Sequence, residues 1–231
     1  WKNIGMELKD DAGRYVQVDH PVFTPILEYL EREERTLIAH LGEPLACWQP
    51  LDPTNPHYGY YSENPEWHMH GRSGFPVHAE IIAARDRVLE RHPRLQFVGA
   101  HLGSLEYDVA EVADRFERFP SFSVDVSARL GDLMNQDPAK VRAFFLKYPD
   151  RIVFGTDVVM LEPFSQLSPE VRSDRVEELR KTYEAWFRFF ETNEVATLWG
   201  QSASGIRLPA MVLDLFYRNN AIRLYPGITD T

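Results

Sequence analysis

The chain has 231 residues, 25 Lys and Arg against 35 Asp and Glu, a formal charge of −10 and a single cysteine. With 44% hydrophobic and 26% charged residues it has the make-up of an ordinary globular core, which excludes a disordered, collagen-like or disulfide-built protein. The acidic balance argues against nucleic-acid binding, which needs clustered Lys and Arg, and no apolar run approaches the ~20 residues of a membrane helix.

In chain order, short apolar runs alternate with longer amphipathic stretches. Residues 1–8 predict a strand, and Asp-Asp-Ala-Gly at 10–13 a turn. Val22, Phe23, Ile26, Leu27 and Leu30 recur at helical period within 22–33. Residues 36–41 predict a strand, too short and continuous for a helix. Residues 42–75 are a long loop insertion rich in Pro, Gly and aromatic residues, with no clear period. Helix is expected over 77–91, strand over 95–100, helix over 105–119 and strand over 122–126. A helix over 138–147 follows, with Pro138 suited to its first turn. A strand over 151–154 leads into Gly155-Thr156-Asp157. A long helix over 171–190 and short helices over 209–217 and 220–224 close the chain. No repeat, low-complexity tract or linker divides it, so 1–231 is expected to be one domain. It opens at Trp1 within an apparent strand, and the natural N-terminus is expected upstream. Localisation is then unknown, with the cytoplasm as the default.

Strand–helix alternation predicts an α/β fold with a parallel sheet and helices outside. The polar residues fall at strand ends. His40 nearly ends one strand, His101 follows the next, Asp125 lies in the third with Arg129 just beyond, and Asp157 follows the fourth. In an α/β barrel these ends form the active-site face. An open doubly wound sheet also gathers residues there, but the first βα connections lack a GxGxxG fingerprint. His and Asp are ligands expected for zinc or a similar divalent ion in a hydrolytic site. Such an ion brings bound water to a pKa near ~7. His40 and Asp157 alone are too few, so at least one more ligand is needed.

Three stretches resemble successive strand ends of the amidohydrolase superfamily: Arg94 to Ser104 around His101, Ser123 to Arg129, and Arg151 to Asp157. The resemblance is to the amidohydrolase-related branch that includes aminocarboxymuconate-semialdehyde decarboxylase. Leu37-Ile-Ala-His40-Leu-Gly-Glu-Pro is similar to that group's fifth strand, and Asn220 to Gly227 to its C-terminal helix. The resemblance implies a partial (β/α)8 TIM-type barrel, roughly strands 4–8 with outer helices. It implies His40 as a metal ligand and His101 as a second-metal ligand or acid/base. It makes Asp157 both a ligand and the acceptor of the attacking water's proton. The implied cofactor is one divalent metal, zinc first, with manganese or iron as alternatives. The family's His-x-His on strand one has no counterpart here, since His68-Met-His70 lies in the long loop. That departure implies that about three βα units are missing.

Each candidate has a bland reading beside it. His40 and His101 either serve the site or cap buried networks. Asp157 is a ligand or an Asx-turn residue. Asp125 reads as a structural acceptor. Arg129 clamps a substrate carboxylate or pairs with an acidic neighbour. His68 and His70, with Trp48 and Trp67, are substrate-facing loop residues or lid packing. Glu43 supports a ligand from behind or is an ordinary loop carboxylate. Lys2 bridges metals as a carboxylated lysine or faces solvent, with solvent the expectation. Cys47 reads as packing, and His20, His57, His78 and His92 as surface or capping residues. The expected activity is hydrolysis of an amide, lactone or related carbonyl of a small molecule. The alternatives are non-oxidative decarboxylation of an unsaturated or aromatic acid, and a metal-free binding scaffold. Open sheet edges add a homo-oligomer as an expected partner.

Overall fold

Leu37, Phe97 and Phe122 stand in one row across three parallel strands in a computed structural model that describes residues 1–2, 4–159 and 162–228. The strands are β1 (Leu37–Ala39), β2 (Phe97–Gly99), β3 (Phe122–Asp125) and β4 (Ile152–Val153), hydrogen-bonded in sequence order. Between them run α1 (Thr24–Arg32), α2 (Tyr58–Glu63), α3 (His78–Arg91), the single turn α4 (Ala100–Gly103), α5 (Val109–Arg118), α6 (Leu130–Met134) and α7 (Pro138–Lys147). Among the described residues the sheet does not close. The chain is an α/β protein whose sheet is an arc of a (β/α)8 barrel.

Alternation along each strand separates the two faces. Leu37, Ala39, Phe97, Phe122, Val124 and Ile152 enter the main core with helices α3, α5 and α7. Phe122 is fully buried, against Phe97 at 5.9 Å and Phe116 at 5.9 Å. Truncating it to Ala would cost about 3–5 kcal/mol. On the opposite face Val98 and Val153 meet Leu224 of the C-terminal helix. That face would line the interior of a closed barrel.

Local chemistry sets the element ends. Asp137 accepts the Ala139 amide and Pro138 opens α7, which has the expected bounds. Asp108 accepts the Ala110 amide, so α5 starts there and not at residue 105. Ser168 caps α8 (Pro169–Glu191). The strand expected over 1–8 shrinks to a parallel bridge between Lys2 and His40. Asn3 lies outside the described residues, and Gly5 at φ +100° turns the chain away. The long loop is not devoid of structure: it holds α2 and two 3₁₀ turns, Leu45–Trp48 and Pro65–Trp67. A hairpin of β5 (Val195–Leu198) and β6 (Gln201–Ser204) is an addition to the expected elements. Helices α9 (Ala210–Asp214) and α10 (Asn220–Leu224) run together through a π-helical turn, Leu215–Asn219. Among the described residues no helix is long and apolar enough to cross a membrane.

Candidate active site

Three strand-end connections on one rim carry a non-glycine residue in the left-handed region. They are His101 (φ +58°) after β2, Ala128 (φ +55°) after β3 and Asp157 (φ +56°) after β4. Each such conformation costs on the order of 1 kcal/mol and persists only where surroundings impose it. Around His101 the means are visible. Asp125 Oδ1 accepts both the His101 and the Ser127 amides at 3.0 Å, the structural role expected of it. Leu102, Gly103 and Ser104 continue the left-handed turn. Buried Arg85 donates to the Gly103 carbonyl, is paired with Asp86 at 2.8 Å, and lies over the Phe122 ring at 4.8 Å. A Cβ on Gly99 would sit 2.8 Å from Gly103 Cα, so this approach needs glycine. Ser104 Oγ donates to the Gly42 carbonyl and His78 Nε2 to the Ser104 carbonyl, tying the β1 and β2 loops to α3.

The turn brings His101 against His40, with ring centroids 4.5 Å apart at 78°. His101 Nδ1 donates to the Ser127 carbonyl at 2.7 Å. The tautomer therefore leaves Nε2 bare, 4.0 Å from Asp157 Oδ2. Burial and then the Arg129 charge hold the His101 pKa below the ordinary histidine value. His40 is pushed down to about 3, by burial first and then by His101, Arg129 and Lys2. Among the described residues its buried Nε2 has no hydrogen-bond partner, and it lies 3.7 Å from Glu43 Oε1. Burial raises the Glu43 carboxyl against the pull of Arg129 and Lys2.

These groups line a cavity of about 950 Å³. Lys2, His40, Glu43, His101, Arg129 and Asp157 form its rim, and His57, Tyr60, Tyr61 and Trp67 come from the long loop. Lys2 is exposed, as expected, and its bridge to His40 sets it at the edge of the cavity beside that side chain. Of the expected loop contacts, only Trp67 lies on this cavity. Trp48 Nε1 donates to the Pro76 carbonyl at 3.1 Å and the ring packs on His78. His68 Nε2 and His70 Nδ1 donate to the Gln49 and Trp48 carbonyls. Those bonds fold the loop on itself and turn Trp48, His68 and His70 away from the cavity. His78 and His92 are buried, not surface residues; His57 lines the cavity wall; His20 caps the 3₁₀ turn at Pro21–Phe23. Cys47 is buried, its thiol raised to about 12 by burial, and packs under Trp67.

The donor chemistry suits part of a divalent-cation shell. His40 offers a neutral, orphaned imidazole nitrogen, the state a ligand requires. The Asp157 carboxylate shares the rim. Among the described residues, however, no three His, Cys, Asp or Glu side chains come together to hold a metal ion. A tetrahedral structural shell takes four, so His40 and Asp157 would be part of a set.

A family model described as Amidohydrolase matches residues 4–227. The chain belongs to the amidohydrolase family. Comparison with curated proteins finds no match. Among solved structures the chain is similar to an uncharacterised TIM-barrel protein from Bordetella bronchiseptica, with 21% identity and a TM-score of 0.46 over 91% of this chain and 52% of that one. It is also similar to 2,6-dihydroxybenzoate decarboxylase, solved with 2,6-dihydroxybenzoate, at 18% identity and TM-score 0.47, covering 94% and 59%. A third likeness is to Metarhizium anisopliae IDCase, at 19% identity and TM-score 0.40, covering 92% and 57%. This amidohydrolase chain thus spans just over half the length of those structures. Family membership does not choose between hydrolysis and decarboxylation.

Two features that shape this rim have little local signature in the sequence. Arg85 and Asp86 sit in an amphipathic helix where charge normally means solvent, and the only signal was their place among Ile81, Ile82, Ala84, Val88 and Leu89. Asp132 and His57 are 75 residues apart in the chain, and no local pattern joins them.

Proposed function

We propose that this rim serves a metal-dependent hydrolase acting on an amide, lactone or related carbonyl of a small molecule. The observation that carries the reading is the His101 ring: its Nδ1 is fixed on Ser127 and its bare Nε2 is aimed at Asp157, 4.0 Å away. His40 and Asp157 would hold a divalent cation, zinc first, with further donors. When bound, the cation supplies Lewis-acid polarisation of the carbonyl and an acidified water. Asp157 takes the proton of the attacking water as its oxygen bonds to the carbonyl carbon. His101 Nε2 receives that proton and passes it to the departing nitrogen or oxygen as the bond to carbon breaks. Glu43 and Lys2 set the field around His40, and Trp67 and Tyr60 help exclude bulk water.

A second reading is favoured by one specific observation. The Arg129 side chain is 90% buried, and among the described residues its Nε has no hydrogen-bond partner, the nearest carboxylate oxygen being Asp132 Oδ2 at 3.9 Å. Such a guanidinium suits a substrate carboxylate. In non-oxidative decarboxylation the bond to the carboxylate breaks, carbon dioxide leaves, the electron pair stays on the remaining carbon, and His101 Nε2 delivers to that carbon a proton it first takes from solvent. Products separate the two: an amine, alcohol or ring-opened acid against carbon dioxide.

The test is metal analysis of the purified chain beside His40→Ala and Asp157→Ala. Stoichiometric metal in the unaltered protein and its loss in both variants is expected. Equal metal in all three would remove the assignment.

A further inference from the structure

The wall of the cavity contributed by the long loop holds a pair of side chains that the mechanism above does not use. His57 Nε2 lies 2.8 Å from Asp132 Oδ1. Asp132 is buried on α6, and its other oxygen is 3.9 Å from Arg129 Nε. His57 does not reach this carboxylate on a free loop. Buried Asn55 donates to the Ala46 carbonyl at 2.9 Å and the Pro50 carbonyl at 3.1 Å, and its Oδ1 accepts the His57 amide at 2.9 Å. The loop backbone is thus tied at three points immediately before the histidine. The imidazole then docks on a carboxylate from the barrel arc.

The tautomer follows from the partners. An ionised Asp132 only accepts, so His57 donates from Nε2 and Nδ1 carries the lone pair. Among the described residues nothing bonds Nδ1, and the ring lines the same cavity as His101. A histidine oriented by a buried carboxylate, with its second nitrogen open to a binding cavity, has the geometry of a proton acceptor. Beside it stand the exposed rings of Tyr60 and Trp67, faces on which a planar molecule can stack.

We propose that His57, positioned by Asp132 and Asn55, is a second proton-transfer residue of this cavity, taking the proton of an acidic hydroxyl on a small planar substrate. The O–H bond breaks, the proton bonds to Nδ1, and the electron pair stays on the substrate oxygen. The imidazolium is balanced by Asp132, and the substrate oxyanion faces Arg129 on the same cavity. Reversal returns the proton to product. The proposal rests on reading this cavity as the reaction chamber.

4-Nitrophenol is the probe, because its phenolate is yellow and its phenol is not. At about one pH unit below the probe's own pKa, the unaltered chain is expected to turn bound nitrophenol into phenolate. His57→Gln should lower the bound phenolate about tenfold, and Asp132→Asn, which keeps the imidazole but removes its charge partner, should lower it less. His70→Gln, on the same loop but off the cavity, should leave the colour in place. Nitrogen-15 spectra of the unaltered chain should show the His57 ring protonated at Nε2 and bare at Nδ1. Colour that survives His57→Gln, colour lost equally in His70→Gln, no colour in the unaltered chain, or the opposite tautomer would each overturn the proposal. Its failure is separable from failure of the hydrolase reading. Colour dependent on His57 in a chain whose metal content ignores His40 and Asp157 would keep the proton acceptor and discard the metal hydrolase. The reverse pattern would do the opposite.

Discussion

The His101 ring is pinned from a neighbouring strand end: its Nδ1 donates to the Ser127 carbonyl at 2.7 Å. The backbones of the same two residues share one acceptor, Asp125 Oδ1, at 3.0 Å each. Ring and backbone are therefore fixed by a single strand end, and the left-handed conformation of His101 is imposed from there.

That arrangement predicts a graded response at Asp125. Asp125→Ala leaves two amides without their acceptor and should destabilise the chain by about 2 kcal/mol. Asp125→Asn keeps one carbonyl oxygen and should cost about half as much. Urea midpoints at constant slope measure both. Equal midpoints for all three proteins would mean that the turn holds without this carboxylate.

Glu106 predicts a pH dependence. Its side chain is buried, Oε1 accepts the Leu45 amide at 2.8 Å, and among the described residues Oε2 has no hydrogen-bond partner. Burial first, and then the Asp132 charge, raise its pKa to about 7, against the pull of Arg129. Between the ordinary carboxylate pKa and about 7 the folded chain holds a proton that the unfolded chain has released. Stability therefore falls by roughly 3 kcal/mol as pH rises through that interval and is level above it. Glu106→Gln should flatten this part of the profile. Thermal melts from pH 4 to 8 decide it: parallel profiles for the two proteins would count against a buried, protonated Glu106.

The two loop tryptophans should behave differently. Trp67 lies on the cavity, whereas Trp48 is bonded to Pro76 and packed on His78. Trp67→Ala should raise KM roughly 2- to 10-fold with little change in melting temperature. Trp48→Ala should lower the melting temperature and spare KM. Steady-state kinetics paired with melts check this, and an unchanged KM for Trp67→Ala would make that ring mere cover.

Self-association should be visible in this chain. Beside β1 the Trp1 ammonium donates to Ile38 and the His40 amide donates to Trp1. Beyond β4 the Phe154 amide donates to the Phe216 carbonyl. This is thin cover for the edges of a parallel sheet, and uncovered edges recruit other chains. Light scattering across a concentration series should show growing mass, and a constant monomer mass would rule out edge pairing.

The strands of the sheet were legible because fully buried parallel strands read as short continuous apolar runs. The polar residues that follow them were legible because His40, His101 and Asp157 interrupt those runs at one end. The β5–β6 hairpin was not, since its turn is Trp199-Gly200 and not an Asn-Gly type pair. Helix α2 was hidden in a stretch dense with Pro and Gly. Which aromatic of the long loop faces the cavity depended on the carbonyls of Gln49, Trp48 and Pro76 taking side-chain donors. No sequence period encodes that choice.

The left-handed turn after β2 has an electrostatic consequence. A chain passing straight from a parallel strand into a helix would place the positive end of that helix dipole beside the first loop residue, and that field disfavours a protonated imidazole. Here the turn through His101–Ser104 sends the chain aside, and α5 begins only at Val109. Its amino end is answered by Asp108, whose carboxylate accepts the Ala110 amide and pairs with Lys140. His101 stands at the start of that turn with Asp157 Oδ2 4.0 Å from its Nε2, and this carboxylate favours a positive charge on the ring while burial and Arg129 oppose it.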